Sequence, residues 1–330
     1  MKCTVMGAGA WGTALASLLS ENGHEVMLWA FEPDVSESIN ATRENRRFLA
    51  GVSLHPELRA TSSIEQACAG AEFVLFAPPS HVMRHVAAQS ARWVAPSATV
   101  AVASKGIERE RLALMTEVVE QEIPGRAIVA LSGPSFALEV ANHQPTAVVA
   151  ASNEPAAALL TQQTLSTSVF RVYTQRDVVG VELGGALKNV MAVATGIADG
   201  LQLGFNARAA LITRGLAEMT RLGVKLGADP ATFAGLAGIG DLVLTCTGSL
   251  SRNRAVGLEI GRGATLSEVL QGKETVAEGV ATTESARALA EREGVDMPII
   301  DAVHRVLFER KPARWALVEL MTRDLRGEHE

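Results

Sequence analysis

An α/β fold, with a doubly wound and mostly parallel sheet followed by an all-helical C-terminal domain, is what this chain of 330 residues predicts. Three observations carry that prediction. A short apolar run, Cys3-Thr4-Val5-Met6, leads straight into Gly7-Ala8-Gly9-Ala10-Trp11-Gly12 and then into an Ala/Leu-rich helical stretch. Over the first half, short β-branched runs alternate with helical segments, the rhythm of βαβ units. After about Gln175 the alternation stops, and long Ala/Leu/Gly segments with helical spacing take over. Length agrees with two domains, because single hydrophobic cores stop growing near ~250–300 residues. The division falls between residues 1–173 and 174–330.

The opening turn is a Rossmann-type dinucleotide signature, with a strand before it and a helix after it as the mechanism requires. Gly7 allows the tight turn, Gly9 lets backbone approach a pyrophosphate, and Gly12 lets the helix pack close to the strand. The free N–H groups and positive dipole end of that helix face the phosphates. Glu32 lies about twenty residues beyond, after a second apolar run at residues 25–30, where an acid suits the ribose hydroxyls of NAD. Further strands are expected at 73–76, 99–103, 127–131, 146–150 and 170–173, with helices at 80–88, 112–122 and 155–165. Ligands of such sheets bind beyond the carboxyl ends of the strands. That directs attention to Ala77-Pro78-Pro79-Ser80, Ser104-Lys105-Gly106 and Ser132-Gly133-Pro134-Ser135. In the second half, helices are expected at 178–198, 207–226, 252–261, 283–293 and 297–307. Asp229-Pro230 and Met297-Pro298 read as helix starts. No fixed-period repeat points to a solenoid, and the charged residues 323–330 read as a frayed end.

Composition narrows the function. Net charge is −6, from 30 basic and 36 acidic residues that are well interspersed, which argues against a nucleic-acid or anionic-membrane surface. The three cysteines, Cys3, Cys68 and Cys246, form no C-x-x-C pair and suit a reducing compartment as ordinary thiols. Charges or turn residues interrupt the apolar runs short of membrane-spanning length. The N-terminus reads as a core strand rather than a signal peptide. The expectation is a soluble cytoplasmic enzyme. His81 and His85 stand four apart on an expected helix, but with no third ligand nearby they read as surface histidines, and no metal is expected.

Several polar residues stand where chemistry is plausible. Lys188 interrupts a very apolar helical stretch, so its ammonium either snorkels to solvent or is functional. Lys105 directly follows an expected strand at the ligand edge, as a solvated loop lysine or a ligand. Asp241 opens the run Leu242-Val243-Leu244-Thr245-Cys246, as a helix N-cap or a working acid. In Ser251-Arg252-Asn253-Arg254, Ser251 caps a helix while Arg252 and the first-turn N–H groups face outward. That suits a phosphate, and equally a capped helix with solvated arginines.

The chain resembles the NAD(P)-dependent glycerol-3-phosphate dehydrogenases of the bacterial soluble type over nearly its whole length. The resemblance rests on GAGAWGTAL (7–15), Lys105-Gly106, SGPSF (132–136), GVELGGALKN (180–189), NARAALITRGLAE (206–218), GDLVLTCT (240–247) and SRNR (251–254). It implies that Lys188 is the catalytic acid/base, supported by Lys105, Asn189, Asp241 and Thr245. It implies substrate contacts at Lys105, Gly133, Ser135, Lys188, Asp241, Ser251, Arg252 and Asn253. It implies cofactor contacts at Ala10, Trp11, Phe31, Phe48, Lys105, Ala137, Arg252, Val276 and Glu278. The reaction implied is reversible reduction of dihydroxyacetone phosphate to sn-glycerol 3-phosphate for phospholipid supply, by a homodimer. Two departures stand out. Phe31-Glu32 replaces the His or Arg frequent in bacterial relatives, so NAD is expected ahead of NADP. Ala50 stands where the family usually has proline, which loosens the loop around Phe48. The rival readings are a β-hydroxy-acid dehydrogenase and a non-catalytic NADH sensor; neither explains Lys105, Lys188 and SRNR together.

Overall fold

The computed structural model describes all residues except 272–276, 326 and 329–330. The sheet half runs β1 (Lys2–Met6), α1 (Ala10–Glu21), β2 (Glu25–Trp29), α2 (Pro33–Thr42), β3 (Arg59–Thr61), α3 (Ile64–Cys68), β4 (Phe73–Phe76) and α4 (Met83–Ser90). It continues with β5 (Thr99–Val102), α5 (Met115–Glu122), β6 (Ile128–Ser132), α6 (Ala137–Ala141), β7 (Thr146–Ala151), α7 (Pro155–Leu165) and β8 (Phe170–Gln175). These strands form one eight-stranded sheet in the order β3-β2-β1-β4-β5-β6-β7-β8. Every pairing is parallel except β6 with β7. The chain winds outward from β1 to β2 and β3, then returns to β4 on the other side of β1. The switch point therefore lies between the carboxyl ends of β1 and β4, where such sheets open a ligand crevice. Gly7 stands there with φ 116°, and a Cβ on it would come within 2.9 Å of the Pro78 nitrogen.

Most expected elements are present, and the differences have local causes. β3 was not anticipated because three residues show no periodicity. The helix expected from residue 112 begins at Met115, because Leu112 adopts a left-handed φ of 57° and Ile107 pairs with Leu114 across the turn. The stretch 80–88 divides into a single 3₁₀ turn, Ser80–Val82, and α4.

The helical half is built on α8 (Val178–Gly200), with α9 (Gly204–Lys225), α10 (Pro230–Phe233), a π-helical turn at Leu236–Gly240, and α11 (Asp241–Thr247). Then follow α12 (Arg252–Gly261), α13 (Leu266–Leu270), α14 (Glu278–Glu293), α15 (Pro298–Phe308) and α16 (Ala313–Met321). Contrary to the sequence reading, Val178–Gly200 and Pro230–Thr247 do reach the length and hydropathy of a membrane span. In α8, 83% of the apolar window is buried inside the chain, so it is a core helix. α12 lies against it so closely that a Cβ at Gly257 would sit 2.1 Å from the Val193 carbonyl oxygen.

Buried carboxylates close the open ends of helices elsewhere in the chain. Glu182 of α8 accepts hydrogen bonds from the Thr116 N–H (2.8 Å) and the Thr116 hydroxyl, at the start of α5. Glu218 of α9 accepts from the N–H groups of Ile299 (2.8 Å) and Ile300 (3.4 Å), at the start of α15. The first N–H groups of a helix have no partner within it, so these contacts cap it from another helix. Burial pushes each of these two carboxyls up to about 7, against the pull of the N–H donors.

A carboxyl whose pKa is raised on folding stabilises the native state below its unfolded value of 4.5 and loses that contribution as pH rises through about 7. Glu218→Gln keeps the acceptor for Ile299 and removes the titration. The fall in unfolding free energy between pH 5 and pH 8 should shrink by up to about 3 kcal/mol. Urea denaturation of both proteins at the two pH values checks this; equal pH dependence in the variant would remove Glu218 as the cause.

Candidate active site

Lys188 occupies the middle of α8, where Leu187 and Val190 beside it are fully buried. Its side chain is 9% exposed, and it does not snorkel. The Nζ group donates to Asp241 Oδ1 (2.5 Å) and Thr245 Oγ1 (2.8 Å). Asp241 is the first residue of α11 and follows the π-helical turn, which packs on α8 so tightly that a Cβ at Gly184 would meet the Ala237 carbonyl oxygen at 2.3 Å. Its carboxylate therefore points at α8 and serves the lysines rather than capping its own helix. Thr245 lies one turn further along the same face, donating its hydroxyl to the Asp241 carbonyl oxygen at 2.7 Å.

The sheet half contributes the second lysine. Lys105 follows β5, and its Nζ donates to Asp241 Oδ2 (2.6 Å) and to the Gly133 carbonyl oxygen (3.1 Å). Gly133 follows β6 with φ 142°, and Ser135 Oγ donates to the same carbonyl at 2.9 Å. Two ammonium groups thus share one fully buried carboxylate, leaving one positive charge in excess. Burial pushes Lys188 down to about 8, with Lys105 acting in the same direction, although Asp241 opposes both. Those influences act in opposite directions in the sequence; here burial wins.

The other residues implied by the resemblance fall around this centre. Asn189 Oδ1 accepts from Asn253 Nδ2 (2.9 Å), and Asn253 Oδ1 accepts from the Gly279 N–H (2.9 Å). Both ends of the Asn253 amide are therefore engaged within the chain, tying α12 to α8 and α14. Ser251 caps α12 through the Arg254 N–H (3.2 Å). Arg254 turns back to Asp199, which also holds Arg208. Arg252 is left exposed at the helix start. Glu278 is half-buried and accepts from the Ser80 N–H (3.1 Å) and hydroxyl (2.5 Å), and desolvation of its carboxyl holds it above the usual range. Ser80 was visible in the sequence only as part of a stretch after β4. Val276 lies outside the described residues. Among the described residues, His81 and His85 join no group of three metal-ligating side chains.

The turn at the start of α1 fits a dinucleotide. A Cβ at Gly12 would fall 1.9 Å from the Gly7 carbonyl oxygen, whereas one at Gly9 would meet nothing within 4 Å. Protein packing explains glycine at 12; at 9 the open space faces the crevice. Ala10, Trp11, Phe48 and Ala137 all pack, partly buried, on the apolar cluster beneath this turn. Phe31 is 74% exposed beside Trp29, and Glu32 precedes α2 without making a capping bond. The loop expected to be slack at Ala50 is held: the Gly51 N–H donates to Glu44 and the Phe48 N–H to Asn45. Arg47 lies over the Phe48 ring and 3.8 Å from Asp34.

A dinucleotide-type turn at the carboxyl end of β1 and a buried lysine–carboxylate centre on α8 together define a nucleotide-dependent dehydrogenase. Two family models match, described as the N-terminus (residues 2–158) and C-terminus (residues 177–318) of NAD-dependent glycerol-3-phosphate dehydrogenase. The chain belongs to the NAD-dependent glycerol-3-phosphate dehydrogenase family. A glycerol-3-phosphate dehydrogenase [NAD(P)+] from Geobacter sulfurreducens is 57% identical, with 98% of each chain covered. One from Myxococcus xanthus is 49% identical, with 99% of each chain covered. The crystal structure of glycerol-3-phosphate dehydrogenase from Coxiella burnetii superposes with a TM-score of 0.94 at 40% identity, covering 98% of this chain and 99% of that one.

Replacing Asp241 by Asn should lower the Lys188 pKa below about 8, because Asp241 is the influence that raises it. An NMR titration of isotopically labelled lysine reads this directly. An unchanged Lys188 titration would show that the carboxylate does not govern the ammonium.

Proposed function

We propose that the chain catalyses the reversible, NAD(P)H-dependent reduction of dihydroxyacetone phosphate to sn-glycerol 3-phosphate, with Lys188 as its acid/base. Lys188 carries the reading: a buried amine with a pKa of about 8, held by Asp241 and Thr245 and sharing Asp241 with Lys105. When bound, the nicotinamide supplies or accepts the hydride. The Lys188 ammonium stabilises the charge that builds on the ketone oxygen and donates its proton to it. In the reverse direction the neutral amine takes the proton from the alcohol. Because the pKa lies near the working pH, both forms are populated. Lys105 adds a second positive charge toward the same oxygen, and Gly133 and Ser135 border it.

The substrate phosphate is assigned to Arg252 and the first-turn N–H groups of α12, a fork of donors at a positive helix end. Asn253 holds that helix start in register with Asn189. A β-hydroxy-acid substrate would leave this anion site without a dianion, and a nucleotide sensor would have no use for Lys188. Residues 1–173 would form the dinucleotide-binding domain and 174–330 the substrate domain. Gly7, Gly9, Ala10, Trp11, Gly12, Phe31, Glu32, Phe48 and Ala137 would line the dinucleotide, with Glu278 and Arg252 at the facing wall. Supply of glycerophospholipid precursor in the cytoplasm, by a homodimer, completes the reading.

Lys188→Ala should keep NADH binding and lose about 10²–10⁴-fold in turnover of dihydroxyacetone phosphate, followed by NADH absorbance. In the wild type, ketone reduction should fall and alcohol oxidation rise as pH passes about 8. More than about a tenth of turnover left in the variant would end the acid/base assignment.

Cofactor choice is a second test. An acid at the end of β2 repels the 2′-phosphate of NADPH, while an arginine welcomes it. Glu32 is free of capping duty, and among the three arginines further on, Arg43 donates to the Leu58 carbonyl oxygen and Arg46 pairs with Glu44. NADH should therefore give the higher kcat/KM, and Glu32→Ala combined with Phe31→Arg should shift preference toward NADPH. A wild type preferring NADPH, or a double variant without the shift, would move the determinant to the segment of Arg43, Arg46 and Arg47.

A further inference from the structure

Asn45 is fully buried, yet it belongs to the loop between α2 and β3, far in sequence from the glycine turn. Its amide nitrogen donates to the Ala8 carbonyl oxygen (2.8 Å) and to Thr13 Oγ1 (2.8 Å). The Thr13 hydroxyl in turn donates to the same Ala8 oxygen at 3.2 Å. The amide oxygen of Asn45 accepts from the Phe48 N–H (3.1 Å), and the Asn45 backbone carbonyl accepts from Leu49 N–H (2.9 Å). One side chain thus joins the middle of the Gly7–Gly12 turn to the loop that carries Arg47 and Phe48.

The consequence follows from the peptide bond. A trans peptide is planar, and its N–H points opposite to its C=O. Drawing the Ala8 carbonyl inward, onto Asn45 and Thr13, turns the Gly9 N–H outward. A Cβ at Gly9 would meet nothing within 4 Å, so this side of the turn is open. We infer that Asn45 is a positioning residue for the dinucleotide: it fixes the Ala8–Gly9 peptide with its N–H toward the pyrophosphate and seats Phe48 beside the same ligand. The inference rests on the cofactor reading given above.

In Asn45→Ala, the Ala8 carbonyl keeps only the weaker Thr13 contact, and the Phe48 N–H loses its acceptor. The dissociation constant for NADH, from titration of protein fluorescence, should rise about 5- to 100-fold, the effect of unpairing buried polar groups. ADP-ribose, which keeps the pyrophosphate and lacks nicotinamide, should lose affinity by the same factor. The KM for dihydroxyacetone phosphate and kcat at saturating NADH should stay within about threefold, which a general loosening of the fold would not allow. If Asn45→Ala does not fold, Thr13→Val removes the second donor to Ala8 together with one acceptor of the Asn45 amide, and should weaken NADH and ADP-ribose together by at least about threefold. A folded variant with wild-type NADH affinity, or one whose substrate KM rises as much as its NADH constant, overturns the inference. A wild type that bound no NADH would overturn the cofactor reading itself.

Discussion

A carboxylate with no exposure to solvent, Asp241, holds a lysine on each of its oxygens, and the rest of the chain is arranged to make that tolerable. Burying three charges costs several kcal/mol per ion unless the geometry is good and the remaining valences are satisfied. Here the three groups come from three parts of the fold. β5 ends at the point that delivers Lys105, α8 brings Lys188 through an apolar core, and the π-helical turn sets Asp241 against α8. Asp241 cannot shift without leaving the buried Lys188 ammonium without its carboxylate. The sheet order matters for the same reason, since Lys105 emerges at the carboxyl edge beside the β1–β4 crevice.

The helical half is tied to itself and to the sheet by a second device. Glu182, Glu218 and Glu278 each leave their own helix and accept from the first N–H groups of another short segment. Two of these ties, Glu182 to Thr116 and Glu278 to Ser80, cross from the helical half to the sheet half. Each acceptor meets donors that no intrahelical carbonyl satisfies, so the ties are specific in register as well as favourable. Asp199 does comparable work at the surface end of α8, holding Arg208 of α9 and Arg254 of α12. With Arg254 committed there, Arg252 is the arginine of SRNR that faces outward.

Legibility in the sequence followed the range of the interaction. Phe73–Phe76, Pro155–Leu165 and Arg252–Gly261 were readable to the residue, because their periodicity and punctuation are local. The glycine turn was readable because each glycine answers a short-range constraint. Lys188 and Asp241 stood out as polar residues in apolar company, and the motif resemblance implied roles for them and for Thr245. The direction of the Lys188 pKa was not readable, because it depends on how burial competes with Asp241. The contact of Ser80 with Glu278 and the role of Asn45 were silent for a related reason: their partners are 198 and 37 residues away. Membrane-span hydropathy in α8 shows the same limit, since composition does not say what a helix packs against.

The charge at this centre also bears on the proposed chemistry. One carboxylate against two ammonium groups leaves the site positive before any substrate arrives. A neutral ketone does not relieve that excess, whereas an oxygen gaining negative charge during reduction does. On the proposed reading the site is therefore better matched to the transition state than to the ground state, which is the condition for faster chemistry rather than tighter binding. In the proposed reaction, protonation of that oxygen by Lys188 would leave a neutral amine beside the Lys105–Asp241 pair, a balanced set of charges. Burial, which lowers the Lys188 pKa, favours that outcome. On that reading the apolar packing of α8 serves the proposed reaction as well as the fold.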